Sequence, residues 1–197
     1  MAKKLFKNKH YNTPGHAHEL TFSCYRRIPF FIDRLACAKF LFELNQGRED
    51  FSFLLWAYVI MPNHIHLLIW PTKNDYNIAK ITKSIKGRLA KKYLTHLKET
   101  KNTFILNQCS VVEKGMNKHR FWQRGGGFDR NLWNPKAIHD SIGYIEANPV
   151  RLRFVSTPEE WLWSSARARK IGEGVIPDVF TLPVKLDNPQ KQRVGIV

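Results

Sequence analysis

The chain has 197 residues, of which 43% are hydrophobic and 13% aromatic, enough apolar material for one domain with a real core. Three cysteines without a CxxC spacing, Cys24, Cys37 and Cys109, point to neither a disulfide framework nor a cysteine zinc site. No run approaches the roughly 18 apolar residues of a membrane span, and the first residues lack the apolar segment of a signal peptide, so a cytoplasmic, nucleoid-associated location is expected.

In chain order, "HELTFSCY" (18–25) has strand character, and 30–47 is helical, with Gly47 predicted to cap it. Two strand-like runs follow, 51–60 and 64–70, separated by Met61, Pro62 and Asn63; Pro62 fixes φ and Asn63 tolerates turn geometry, which predicts a tight hairpin. A helix is expected over 77–98. Ile78, Ile81, Ile85, Leu89 and Leu97 line one side, and Lys80, Lys83, Lys86, Arg88, Lys91 and Lys92 cover much of the rest. After a polar connection, "RFWQ" and Gly125 to Gly127 suggest a short strand and a flexible turn.

"PKAIHDSIGYIEA" (135–147) is then helical, with Pro135 allowed in its first turn, Pro149 closing it and Asn148 at its end. In "WLWSSAR", Trp161 and Trp163 are expected to pack a last helix onto the domain, at most one of them fully buried. The order β-α-β-β-α-β-α implies an α+β domain over 1–170: a mainly antiparallel sheet with helices on one face and the other face available. Residues 171–197, rich in proline, are expected to form an extended or loosely packed tail.

Charge narrows the class of partner. The chain carries 32 Lys and Arg against 16 Asp and Glu, a formal +16, and its basic residues alternate with aromatics in "YRRIPFF" and "KHRFWQRGGGFDR". That is the footprint of a nucleic-acid binder, favoured over a merely soluble basic protein or one bound to anionic membrane surfaces.

Within "VIMPNHIHLLIWP", His64 and His66 are two apart on a strand, so they share a face while Ile65, Leu67 and Ile69 share the other. Two imidazoles side by side can hold one divalent ion, although a bare pair of this kind is more often structural. The similar pair His16 and His18 is assigned no metal. Tyr144 and Asn148 lie one helical turn apart, which puts a phenol and a carboxamide on one side of their helix. Taken singly, they read as a core tyrosine and a helix-end cap. Together with the histidines, they read as a metal site with open positions for phosphate oxygens and a nucleophile beside it.

"YVIMPNHIHLLIWP", "FWQRGGGFD", "YIEANPVR" and "WLWSSAR", in this order, resemble the REP-associated tyrosine transposases, a branch of the single-tyrosine HUH (IS200-like) transposases. The resemblance runs from about His18 to Arg167. It implies a ferredoxin-like HUH fold with a catalytic helix near the metal site. It also implies metal-dependent cleavage and rejoining of single-stranded DNA beside hairpins through a 5′-phosphotyrosine intermediate. On that resemblance Tyr144 is the nucleophile and His64, His66 and Asn148 are the metal ligands, with Mg²⁺ or Mn²⁺ as the ion. Arg26, Arg27, Lys83, Lys86, Arg120 and Arg124 are candidates for phosphate contact with single-stranded DNA and DNA hairpins, by a monomer or a homodimer. The alternative is a non-cleaving nucleic-acid-binding protein that keeps the fold. A metal-dependent hydrolase or zinc-structured interaction domain is disfavoured, since no carboxylate or cysteine accompanies the histidines at a hydrolytic or zinc spacing.

Overall fold

Alternation of side chains builds the centre of the protein. β2 (Phe53–Met61) and β3 (His64–Pro71) are apolar runs rich in aromatic and branched residues, and Met61 pairs with His64 across a turn of only Pro62 and Asn63. β1 (Ala17–Ser23) pairs antiparallel with β3, and β6 (Phe128–Leu132) pairs antiparallel with the far edge of β1, giving the sheet order β2-β3-β1-β6. This computed structural model describes residues 10–179. With α1 (Arg34–Phe51) following β1 and α2 (Ile78–Glu99) following β3, the connectivity is the expected ferredoxin-like one.

α1 and α2 cover the face that carries Leu20, Phe22, Ile65, Leu67 and Ile69. Asp33 caps α1 by accepting from the Leu35 amide, and Asn77 caps α2 by accepting from the Lys80 amide. Gly47 does not end its helix. α1 continues to Phe51 and is closed by Ser52 in left-handed geometry, while a Cβ at Gly47 would stand 2.9 Å from Ile85 of α2. The glycine is there for close helix approach, and the cap lies five residues on. Buried Glu43 sits between the same helices, with Arg88 Nε at 3.0 Å and Lys92 Nζ at 2.5 Å, so part of the cationic side of α2 is turned inward as ion pairs.

The polar connection after α2 folds into α3 (Thr103–Gln108) and a separate hairpin of β4 (Ser110–Glu113) and β5 (Met116–His119), none of which the sequence suggested. "RFWQ" buries Phe121 and Trp122 but makes only an isolated bridge from Trp122 to Cys24; the strand forms later, as β6. Gly127 precedes β6 with φ 82°, and a Cβ there would collide with the Thr21 carbonyl, so glycine lets the chain enter beside β1.

α4 (Pro135–Glu146) lies on the opposite face of the sheet, where Ile138 and Ile145 pack with Ala57, Val59 and Leu68. Pro149 does not stop the helical course: α5 (Asn148–Arg151) begins directly after α4, and a proline in a first turn lacks only an amide that has no helical partner there. Trp161 and Trp163 precede α6 (Ser165–Ile171), and both are half-buried along the outer edge of β2. There the Trp163 carbonyl accepts from the Ile60 amide at 2.9 Å. Residues 180–197 of the expected tail lie outside the described residues. The part through 179 is irregular and is pinned where Asp178 accepts from the Leu55 amide and pairs with Arg48 at 2.8 Å. Among the described residues, no helix is long and apolar enough to cross a membrane.

Candidate active site

The strand period sends His64 and His66 to the face that α4 occupies, while Ile65, Leu67 and Ile69 enter the α1–α2 core. The two imidazole centroids are 5.1 Å apart. Each ring is held through Nδ1. His64 Nδ1 donates to Asn63 Oδ1 at 2.7 Å, and His66 Nδ1 donates to Thr21 Oγ1 at 2.8 Å. That pattern leaves both Nε2 atoms as ligating lone pairs, the usual arrangement around a histidine-bound metal. Neither Asn63 nor Thr21 was found by reading the sequence. Asn63 registered only as a turn residue, and Thr21 reaches His66 only because β1 and β3 pair in this register.

Electrostatics keep the imidazoles neutral. Burial, then the neighbouring His64 and the Arg151 guanidinium, push His66 down to about 4. Burial and then Arg27 lower His64. A neutral imidazole at physiological pH is a ligand rather than a cation.

α4 and α5 bring the remaining groups. Tyr144 is 44% exposed, its ring centroid 6.0 Å from that of His66 and 4.5 Å from the Arg151 guanidinium carbon. Buried Asn148 directs Nδ2 to His66 Nε2 at 3.3 Å. Carboxamide oxygen and nitrogen exchange by a half-turn of the terminal bond, so the same position can present an oxygen donor. His64, His66, Tyr144 and Asn148 line one cavity of about 550 Å³ together with Thr21, Ser23, Asn63, Arg27, Arg151 and Leu152. Among the described residues no three His, Cys, Asp or Glu side chains converge as a metal cluster. A divalent ion here would therefore take two imidazoles and one amide from the protein and fill its other positions from water or substrate, which suits a hard ion with exchangeable oxygen ligands.

The helix that carries Tyr144 is clamped from behind. Glu146 accepts from the Ser165 hydroxyl and from Arg169, and Ser165 Oγ also accepts from the Tyr58 amide at 3.0 Å, which ties α4, β2 and α6 together.

The six candidate phosphate contacts do not form one patch. Arg27 is exposed and lines the cavity. Arg26, also exposed, lies over the Tyr25 ring at 5.0 Å. Arg120 and Arg124 both pair with Glu113, the latter at 2.6 Å. Lys83 and Lys86 line a separate cleft of about 310 Å³ beside Gly125 and Gly126. Burial lowers Lys86 to about 8, and its ammonium lies 4.8 Å from the Phe22 ring centroid. Arg151 was missed, although its place three residues after Asn148 in "ANPVR" puts it near the same helix face. His18, of the second pair, spends both nitrogens within the fold: Nδ1 donates to Asp129 and Nε2 is hydrogen-bonded to the Tyr76 hydroxyl, each at 2.8 Å.

The sequence profile of the IS200-like transposases matches residues 15–130. A curated protein of Haemophilus influenzae described as a REP-associated tyrosine transposase is 29% identical over 121 residues, which covers 61% of this chain and 63% of that protein's length. A solved structure of a REP-associated tyrosine transposase bound to a REP hairpin superposes with a TM-score of 0.63 at 19% identity, covering 93% of this chain and all of the other. That likeness gives the fold, and it is the HUH fold.

Proposed function

This chain belongs to the IS200-like transposase family, and from that premise we propose that it cleaves and rejoins single-stranded DNA beside REP-like hairpins, as a REP-associated tyrosine transposase. The observation that carries the reading is the convergence of two imidazoles held through Nδ1, the Asn148 carboxamide that reaches His66 Nε2, and one exposed phenol on a single open cavity rimmed by Arg27 and Arg151. Tyr144 attacks the scissile phosphorus; the bond to the 3′ oxygen breaks, and the products are a 5′-phosphotyrosine and a free 3′-OH. The ester conserves the bond, so a second 3′-OH can displace the tyrosine and rejoin strands without nucleotide hydrolysis. His64 and His66 through Nε2, and Asn148 through its carboxamide, would hold a divalent ion, Mg²⁺ or Mn²⁺. Such an ion would supply withdrawal of charge from the phosphate and stabilisation of the leaving oxygen. Arg151 orients the Tyr144 ring and, with Arg27, meets the phosphate charge. Arg26, Lys83, Lys86, Arg120 and Arg124 take backbone phosphates of the flanks and stem.

Tyr144→Phe tests the reading at one oxygen. The variant is expected to bind a hairpin with single-stranded flanks as wild type does, while cleavage and the SDS-stable adduct disappear. Wild type should retain the fragment 3′ of the cut through its 5′ phosphate. An adduct formed by Tyr144→Phe, or one joined through a 3′ phosphate, overturns the mechanism. Hairpin binding by wild type without any cleavage would instead identify a non-cleaving binder.

A further inference from the structure

A second cavity, of about 620 Å³, opens next to the candidate active site and shares Thr21, His66 and Tyr144 with it. Strand register builds its other wall: Glu19 and Thr21 of β1 stand opposite Arg130 and Phe128 of β6, so all four project from the same sheet face. Glu19 is only 6% exposed, yet it is a carboxylate with one oxygen unused. Oε2 accepts from Arg130 at 2.5 Å and from Ser141 Oγ at 2.9 Å, whereas Oε1 accepts no hydrogen bond among the described residues. Oε1 is not one of the buried unpartnered atoms among the described residues, so its lone pairs stay accessible at the cavity that Glu19 lines, and a carboxylate oxygen accepts hydrogen bonds without donating any.

The chemistry of this wall discriminates between the parts of a DNA strand. Asp140, the other carboxylate here, is tied to Lys136 at 2.7 Å, so the wall has no cation to spare for a phosphate beyond the paired Arg130. A nucleobase fits better. Exocyclic amino groups of cytosine, adenine and guanine donate to a carboxylate, whereas the one donor of thymine or uracil, N3–H, lies between two carbonyl oxygens that a carboxylate repels; Phe128, 49% exposed, offers a ring face on which an unstacked base can lie. Because Tyr144 borders both cavities, a base seated here belongs to a nucleotide adjoining the attacked phosphate.

We propose that this cavity receives the unstacked base beside the scissile phosphate, and that Glu19 Oε1 makes it selective for bases with an exocyclic amino group over thymine. The proposal rests on the strand-cleaving reading above.

The test uses the full chain with Mn²⁺ and labelled hairpin oligonucleotides in which each base near the cut is varied in turn among the four. Wild type should show one position at which an amino-bearing base is cleaved about tenfold or more faster than thymine, the size of one hydrogen bond to a charged group. Glu19→Gln, whose amide also presents a donor, should bring that ratio close to one. Phe128→Ala should slow cleavage whatever the base there while leaving the ratio in place. Should Glu19→Gln fail to fold, as reported by loss of hairpin binding, the contact can be removed from the DNA instead. Uracil for cytosine, or purine for adenine, should cost wild type the same factor. A wild-type ratio retained in folded Glu19→Gln, or wild-type cleavage indifferent to the base at every position, overturns the proposal and leaves the strand-cleaving reading intact. A wild-type protein that cuts none of these substrates overturns that reading itself.

Discussion

Thr21→Val separates a histidine held for ligation from one that merely packs. The Thr21 hydroxyl accepts from His66 Nδ1 at 2.8 Å, and His66 is buried. With valine in its place the imidazole has two choices. It can keep its proton on Nδ1 without a partner, at a cost of about 1–3 kcal/mol in folding free energy. Or it can move the proton to Nε2, the nitrogen 3.3 Å from Asn148 Nδ2, and so remove the lone pair that faces the cavity. Either way the metal-ready form is disfavoured, and loss of such an outer partner typically weakens metal binding by about 10–100-fold. Thr21→Ser, which keeps the oxygen, should recover most of that loss. The assay is a Mn²⁺ titration followed by electron paramagnetic resonance, with urea unfolding of the same samples to show that the variants are folded. A folded Thr21→Val that binds Mn²⁺ as tightly as wild type would refute the reasoning.

Gly47→Val should destabilise the protein by about 1–3 kcal/mol in urea unfolding, because its side chain must enter the 2.9 Å contact with Ile85 between α1 and α2; unchanged or raised stability would mean the two helices separate freely. Asp129 should carry a pH-dependent share of stability. Burial alone would raise its carboxyl, but hydrogen bonds from His18 and His10 outweigh burial and hold it below the ordinary value. A depressed folded value means stability that is present above the unfolded pKa of about 3.9 and is lost as pH falls through the lower folded one. Asp129→Asn should therefore cost about 3 kcal/mol near pH 7 and progressively less below about pH 4; an equal cost in urea unfolding at both pH values would contradict this.

The parts of the fold written as period were legible from sequence. The hairpin around Pro62, α2 and α4 each follow from an apolar repeat with a marked end, and their bounds fall within two residues of expectation. β6 escaped because "FDRNL" is polar and short, and it becomes a strand only because β1 offers an unpaired edge. Gly47 misled for a related reason. A glycine near the end of an apolar repeat looks like a cap until the neighbouring helix, distant in sequence, supplies Ile85. The site divides in the same way. Tyr144, Asn148 and the histidine pair are visible by spacing within a few residues of local sequence, whereas Thr21, Glu19 and Phe128 meet the site only through cross-strand register.

A buried β-strand tolerates two imidazoles here because one residue of register separates two very different environments. In the observed pairing Met61 faces His64 across the Pro62–Asn63 turn, which sends Ile65, Leu67 and Ile69 into the helical core and the histidines to the open face. A slip by one residue would turn three large apolar side chains to the cavity and drive both imidazoles into the apolar cluster under α1 and α2. The core therefore enforces the site geometry at no cost to its own packing. The turn then serves twice: Pro62 and Asn63 set the register, and the Asn63 side chain accepts from His64 Nδ1 at 2.7 Å and turns its Nε2 outward. Metal-site geometry and strand register are in this way one constraint, and it follows that a turn variant able to shift the register would lose the fold before it could lose the site alone.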